Sequence, residues 1–241
     1  MAQSFAVFDI DGTLIRWQMF HAIVDQLAHD GFLSADDYAT IKIARMEWKS
    51  RRGEEAFRAY EAQLIRSFEK LLKTITVKEY IDTIDKVFEK YKDQAYRYTR
   101  GLITELKAKD YMLFAISGSG HEIVAKVAEH YGFDDFIGSD YKRAGDRFTG
   151  EMDVVVFRKP AALKAMAEKH GLSFEGSIGV GDSEGDISML DIVEHPIAFN
   201  PSKKLFRHAT EHGWHIVVER KNMVYEFEAK DNAYLLTNTN A

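Results

Sequence analysis

Residues 5–13 read Phe-Ala-Val-Phe-Asp-Ile-Asp-Gly-Thr, and that stretch decides the fold. A short apolar run stopped by Asp and Gly predicts a buried strand of a parallel sheet. Asp9 and Asp11 then lie two residues apart at its carboxyl end, where open parallel sheets bind ligands. One carboxylate in such a pair can attack an electrophile while the other handles protons. Gly12 lets the chain turn tightly and present backbone N–H groups. The same residues also suit an Asp-rich turn that only ends a strand and caps the next segment.

The sequence changes character on the far side of this motif. Residues 17–98 contain no Pro, and their only glycines are Gly31 and Gly53. Stretches such as 20–31 and 54–72 space their apolar residues three and four apart, as in amphipathic helices. Four or more helices and no strand are expected here. From residue 99 strands and helices alternate. Strands are read at 111–117, 134–140, 177–181, 196–200 and 214–218, and helices lie between them. A β-hairpin is read around Gly145-Asp146. Pro160 is placed to open a helix, with Gly171 after its end. Beyond residue 219 no periodicity is evident, and a frayed end is expected. The fold class is therefore α/β: a Rossmann-like parallel sheet with helices on both faces, an inserted all-α subdomain and a β-hairpin. The expected division is 1–15 with 99–241 for the α/β domain, and 16–98 for the helical insertion.

Three further groups carry chemistry. Gly181-Asp182-Ser183-Glu184-Gly185-Asp186 follows an apolar strand, and Asp182 and Asp186 are one helical turn apart. Gathered with Asp9 and Asp11 they would repel one another unless a cation held them. Oxygen ligands without Cys or a His cluster favour Mg²⁺. Helix capping is the competing role for Asp182, Ser183 and Asp186. Ser117-Gly118-Ser119-Gly120 leads from a strand into a helix and suits an anion. Lys159 stands at a helix start, where the dipole disfavours a cation; that placement hints at a functional role, with Arg158 equally available.

Asp9-Ile10-Asp11-Gly12-Thr13, Ser117, Lys159 and Gly181-Asp182…Asp186, in that order and each at a strand end, resemble the haloacid dehalogenase superfamily. The helical block matches that superfamily's inserted cap. Asn200-Pro201-Ser202-Lys203-Lys204-Leu205 and His212-Gly213-Trp214 resemble its phosphoserine-phosphatase-like branch. The resemblance implies a phosphatase that works through an aspartyl-phosphate. Asp9 would be the nucleophile, Asp11 the acid and base, and Lys159 the charge-balancing cation. Gly12, Thr13, Ser117 and Gly118 would surround the phosphoryl group. Mg²⁺ would be held by Asp9, Asp182 and the Asp11 carbonyl, with Asp186 as ligand or support. Asp11 also separates the chain from true dehalogenases, which lack the second Asp. Where phosphoserine phosphatases carry a Glu that contacts the substrate amine, this chain has Gln18, and Arg16 and Trp17 stand beside it as further candidates to face substrate. A neutral amide cannot neutralise an ammonium, so phosphoserine specificity does not come with the resemblance. The basic run Arg45, Lys49, Arg51 and Arg52 is read as a solvated helix end.

Composition bounds the rest. The chain has 241 residues, 32 Lys+Arg against 38 Asp+Glu for a net charge of −6, and no Cys. Thiolate metal sites, disulfides and Cys nucleophiles are excluded. The acidic balance argues against a nucleic-acid partner, and no apolar run reaches the ~20 residues of a membrane span. The start lacks a basic-then-apolar leader pattern. The expectation is a cytoplasmic, monomeric enzyme acting on a small phosphorylated metabolite. The competing expectations are a phosphotransferase or mutase using the same aspartyl-phosphate, and a non-catalytic phosphate-binding protein.

Overall fold

In the computed structural model, which describes residues 3–51, 53, 55–231 and 233–240, β1 (Phe5–Phe8) is buried along its whole length. It pairs in parallel with β2 (Met112–Gly120) on one side and β5 (Ile178–Gly181) on the other. A strand covered on both faces has no polar side to show, which is why FAVF reads as a continuous apolar run. β3 (Asp135–Ala144) continues the sheet beyond β2, and β6 (His195–Phe199) and β7 (His215–Arg220) continue it beyond β5, all in parallel. The order β3-β2-β1-β5-β6-β7 puts the carboxyl ends of β1, β2 and β5 side by side.

Helices cover both faces. α7 (Lys159–Lys169), α8 (Ile187–Leu190) and α9 (Lys203–His212) bury Leu163, Met166, Leu190 and Leu205 against Phe5, Val7, Phe114 and Ile116. α5 (Arg97–Ala108) and α6 (His121–Tyr131) pack on β2 from the opposite side. Alternate residues of each strand thus point into separate cores. Truncating a buried Phe such as Phe114 to Ala would cost about 3–5 kcal/mol.

The segment after residue 219, which shows no sequence periodicity and whose end is expected to fray, instead forms β8 (Met223–Lys230) and β9 (Ala233–Asn240). Both pair antiparallel, β8 with β7 and β9 with β8. β9 is exposed along most of its length, so it carries no apolar alternation for a sequence reading to detect.

The chain divides into two compact units, Met1–Gln18 with Tyr91–Asp140 and Val154–Ala241, and Met19–Lys90 with Tyr141–Asp153. The second holds α1 (Met19–His29), α2 (Ala35–Lys49), α3 (Ala56–Leu72) and α4 (Val77–Tyr91), together with the hairpin made by the end of β3 and β4 (Arg147–Asp153). The hairpin joins the helices through Arg147, whose Nη1 donates to the Thr74 carbonyl at 2.7 Å, and through Phe148, whose ring meets Tyr80 edge-on at 5.3 Å. Within this unit Phe20 packs on Phe68, and Trp48 stacks on Tyr60. Arg45 departs from the solvated helix end expected of it. Its guanidinium donates to Asp25 at 2.6 Å and to the Tyr60 hydroxyl at 3.0 Å, so internal partners hold it. Lys49 and Arg51 are exposed, and Arg52 lies outside the described residues. Among the described residues, no helix is long and apolar enough to cross a membrane.

Candidate active site

Asp9 follows β1 directly, and its N–H still donates to Val180 on β5. The sheet therefore aims the carboxylate at the strand ends. The chain then folds back at once: the Leu14 and Ile15 N–H groups both donate to the Ile10 carbonyl, and Gly12 donates to Ile15. Gly12 has φ +86°, and a β carbon there would collide with the Asp182 carboxylate. A glycine is needed here on both counts.

Lys159, the first residue of α7, is buried and bonds Asp9 at 2.7 Å and Asp186 at 2.6 Å. Helix placement alone leaves Arg158 and Lys159 equivalent; the structure turns Lys159 inward. Asp186 uses its second oxygen to accept from the Asp182 and Ser183 N–H groups and from the Ser183 hydroxyl. It closes the turn after β5 while fixing the lysine. Thr13, fully buried, donates its hydroxyl to Asp182 at 3.3 Å. Asp9, Asp182 and Asp186 each bring one carboxylate oxygen within 4.8 Å of the others.

The electrostatics follow from burial. Loss of water pushes the Asp9 carboxyl up to about 7 against the pull of Lys159, with Asp186 and Asp11 pushing the same way as burial. Burial, reinforced by Asp9 and Asp186, also drives Asp182 well above the ordinary carboxylate range. Burial works against the Lys159 ammonium, but Asp186 and Asp9 outweigh it and raise its pKa. Three carboxylates withdrawn from water and facing one ammonium leave an excess of negative charge. A hard divalent cation with oxygen ligands fits that deficit.

Ser117, buried in the carboxyl-terminal half of β2, donates its hydroxyl to Asp11 at 2.7 Å and accepts from the Ser119 N–H at 3.1 Å. Gly118 is exposed beside it, and its carbonyl accepts from Ser139. Gln18 donates to the Asp11 carbonyl at 3.4 Å. Arg16 stands apart from this group, over the ring of Tyr96 at 5.6 Å. The sequence reading missed Tyr96 and Glu219. Tyr96 shares a hydrogen bond with Asn200, and its phenol is raised by burial and then by Asp182. Glu219 accepts from the Arg97 and Tyr98 N–H groups and so caps α5. Neither has a local signal, because their partners lie far along the chain. The Asn200 turn that the sequence did single out has φ +42°, and the Ser202 N–H after it donates to the Asp182 carbonyl at 2.8 Å.

The parallel sheet thus gathers aspartates, a lysine and a serine toward the carboxyl ends of β1, β2 and β5, an arrangement suited to a hydrolase. The haloacid dehalogenase-like hydrolase family model matches residues 6–191, and the chain belongs to that family, in the branch resembling phosphoserine phosphatases. A phosphoserine phosphatase of Archaeoglobus fulgidus is 24% identical over 202 residues, which are 83% of this chain and 53% of that protein. The inhibition of morphological differentiation protein of Streptomyces azureus is 29% identical over 167 residues, 68% of this chain and 58% of that one. The chain thus spans just over half the length of these two relatives. A solved structure of a phospho-aspartyl intermediate analogue of phosphoserine phosphatase shares the fold, with a TM-score of 0.64 at 21% identity over 92% of this chain and 95% of that one.

Proposed function

We propose that the protein is a Mg²⁺-dependent phosphatase that hydrolyses a small phosphorylated metabolite through an aspartyl-phosphate on Asp9. The observation that carries this reading is Lys159 bonded to both Asp9 and Asp186 in a buried cluster with Asp182. Asp9 and Asp182, with the Asp11 carbonyl, would hold the metal, and Asp186 supports them through Lys159 and the 182–186 turn. Bound Mg²⁺ supplies positive charge against the phosphoryl oxygens.

In the first step an Asp9 oxygen attacks phosphorus, the bond from phosphorus to the leaving oxygen breaks, and Asp11 gives that oxygen a proton. In the second step Asp11 takes a proton from water, the water oxygen attacks phosphorus, and the Asp9–phosphorus bond breaks. Ser117, the Gly118 N–H, Gly12 and Thr13 surround the phosphoryl group, and Lys159 favours the anionic form of Asp9 against the effect of burial. The inserted helical unit is read as the cap. The test is release of phosphate from p-nitrophenyl phosphate with Mg²⁺. Asp9→Asn should abolish it, and wild-type activity in that variant would refute the nucleophile assignment. Adding alcohols or sugars as competing acceptors distinguishes hydrolysis from phosphoryl transfer.

A further inference from the structure

The segment that leaves the aspartate motif and the segment that returns to α5 form a short antiparallel ribbon. Ile15 bridges Ala95, the Arg16 N–H donates to Gln94 at 2.8 Å, and the Tyr96 N–H donates to Leu14 at 2.9 Å. Tyr96 is wedged edge-on against Phe199 at 4.9 Å, and its hydroxyl shares a hydrogen bond with Asn200. The ring is therefore a fixed platform beside the Asp182 loop. Over it lies the Arg16 guanidinium, 5.6 Å from the centroid, exposed and without an acidic partner among the described residues. Arg45 shows the contrast, since its guanidinium is bound by Asp25. Of the two polar side chains that closely follow the motif, Gln18 already serves the Asp11 carbonyl. Arg16 keeps its guanidinium donors for a ligand, and the Trp17 Nε1–H between the two is buried without a hydrogen-bond partner among the described residues.

Resting on the phosphatase reading, we infer that Arg16, seated on Tyr96, binds a second anionic group on the organic part of the substrate. The substrates are then phosphomonoesters that also carry a carboxylate or another phosphate. Neutral esters and ammonium esters lack the group that Arg16 takes. A guanidinium presents paired donors to a carboxylate or phosphate in a planar fork, and stacking on an aromatic ring fixes that plane.

Three two-carbon esters isolate the effect: 2-phosphoglycolate, ethyl phosphate and O-phosphoethanolamine, assayed with Mg²⁺. The expected order in kcat/KM is phosphoglycolate first, ethyl phosphate about tenfold or more lower, and phosphoethanolamine last. Arg16→Ala should reduce the first ratio to near one, chiefly through KM, and Arg16→Lys should restore part of it. Propane-1,3-diol bisphosphate tells a second phosphate from a carboxylate. Equal turnover of the first two esters, or an equal loss on all three in Arg16→Ala, overturns the inference. Calorimetric binding of phosphonoacetate against ethylphosphonate gives the same comparison without turnover. If no ester is hydrolysed but phosphonoacetate still binds more tightly through Arg16, the phosphatase reading fails and the anion site stands.

Discussion

Replacing Lys159 by Met tests the central ion cluster more directly than removing an aspartate. Methionine keeps most of the side-chain volume, so the cavity contribution is small and the loss is mainly electrostatic. The Lys159 side chain is 3% exposed, Asp9 is 7% and Asp186 is 0%. Breaking a pair buried to this degree costs about 3–5 kcal/mol, because the remaining carboxylates keep their desolvation and lose their partner. In a protein of this size that corresponds to a fall in Tm of about 6–20 °C. The pH dependence sharpens the test. Asp9 titrates near 7 when folded and near 3.8 when unfolded. In the metal-free wild type the unfolded chain releases this proton first, so stability falls as pH rises from about 4 to 7. The slope is up to about 1.4 kcal/mol per unit. Without Lys159 the folded Asp9 carboxyl moves higher still, and the fall continues above pH 7. The destabilisation should then be about 1 kcal/mol greater at pH 8 than at pH 6. Urea unfolding followed by tryptophan fluorescence in EDTA measures it. A loss below about 1 kcal/mol that does not change with pH would refute the account of a buried, mutually dependent cluster.

Two further outcomes rest on the same geometry. Gly12→Ala places a β carbon against the Asp182 carboxylate at a φ of +86°; phosphatase activity should drop by about 100-fold or more, with weaker Mg²⁺ binding, and activity within a few-fold of wild type would contradict the packing. Mg²⁺ should raise Tm, and more at pH 8 than at pH 5.5, because a carboxyl raised to about 7 must lose its proton to bind a cation. Scanning calorimetry at the two pH values checks this, and an equal rise at both would place the ion elsewhere.

The strand ends were legible because fully buried strands are short apolar runs, and here each run stops at a residue with chemistry: Asp9 after FAVF, Ser117 after LFAI, Asp182 after IGVG. What was hidden depends on tertiary partners. Nothing local favours Lys159 over Arg158, since the choice is made by Asp9, 150 residues away, and Asp186, 27 away. Arg45 looks like part of a basic run until Asp25 and Tyr60 are brought to it. β9 is invisible for a different reason. It is ordered by backbone pairing to β8, while its side chains are exposed and leave no hydrophobic period.

The two readings of the Asp-rich turns, caps or chemistry, separate on the direction in which their carboxyls shift. A carboxylate that caps a turn is stabilised by the N–H groups it accepts from, and its pKa falls. Glu79 behaves so: it accepts from the Thr76 N–H and hydroxyl, and those bonds hold it low. Asp9 and Asp182 move the other way, raised first by burial. Capping would not produce that, and the fold gains no stability from ionising them there. Asp186 does act as a cap, accepting three donors on one oxygen, but its other oxygen goes to Lys159. Capping therefore explains half of Asp186 and none of the burden carried by Asp9 and Asp182. Raised carboxyls of this kind are what the proposed metal and nucleophile roles of Asp9 and Asp182 call for, and capping does not supply them.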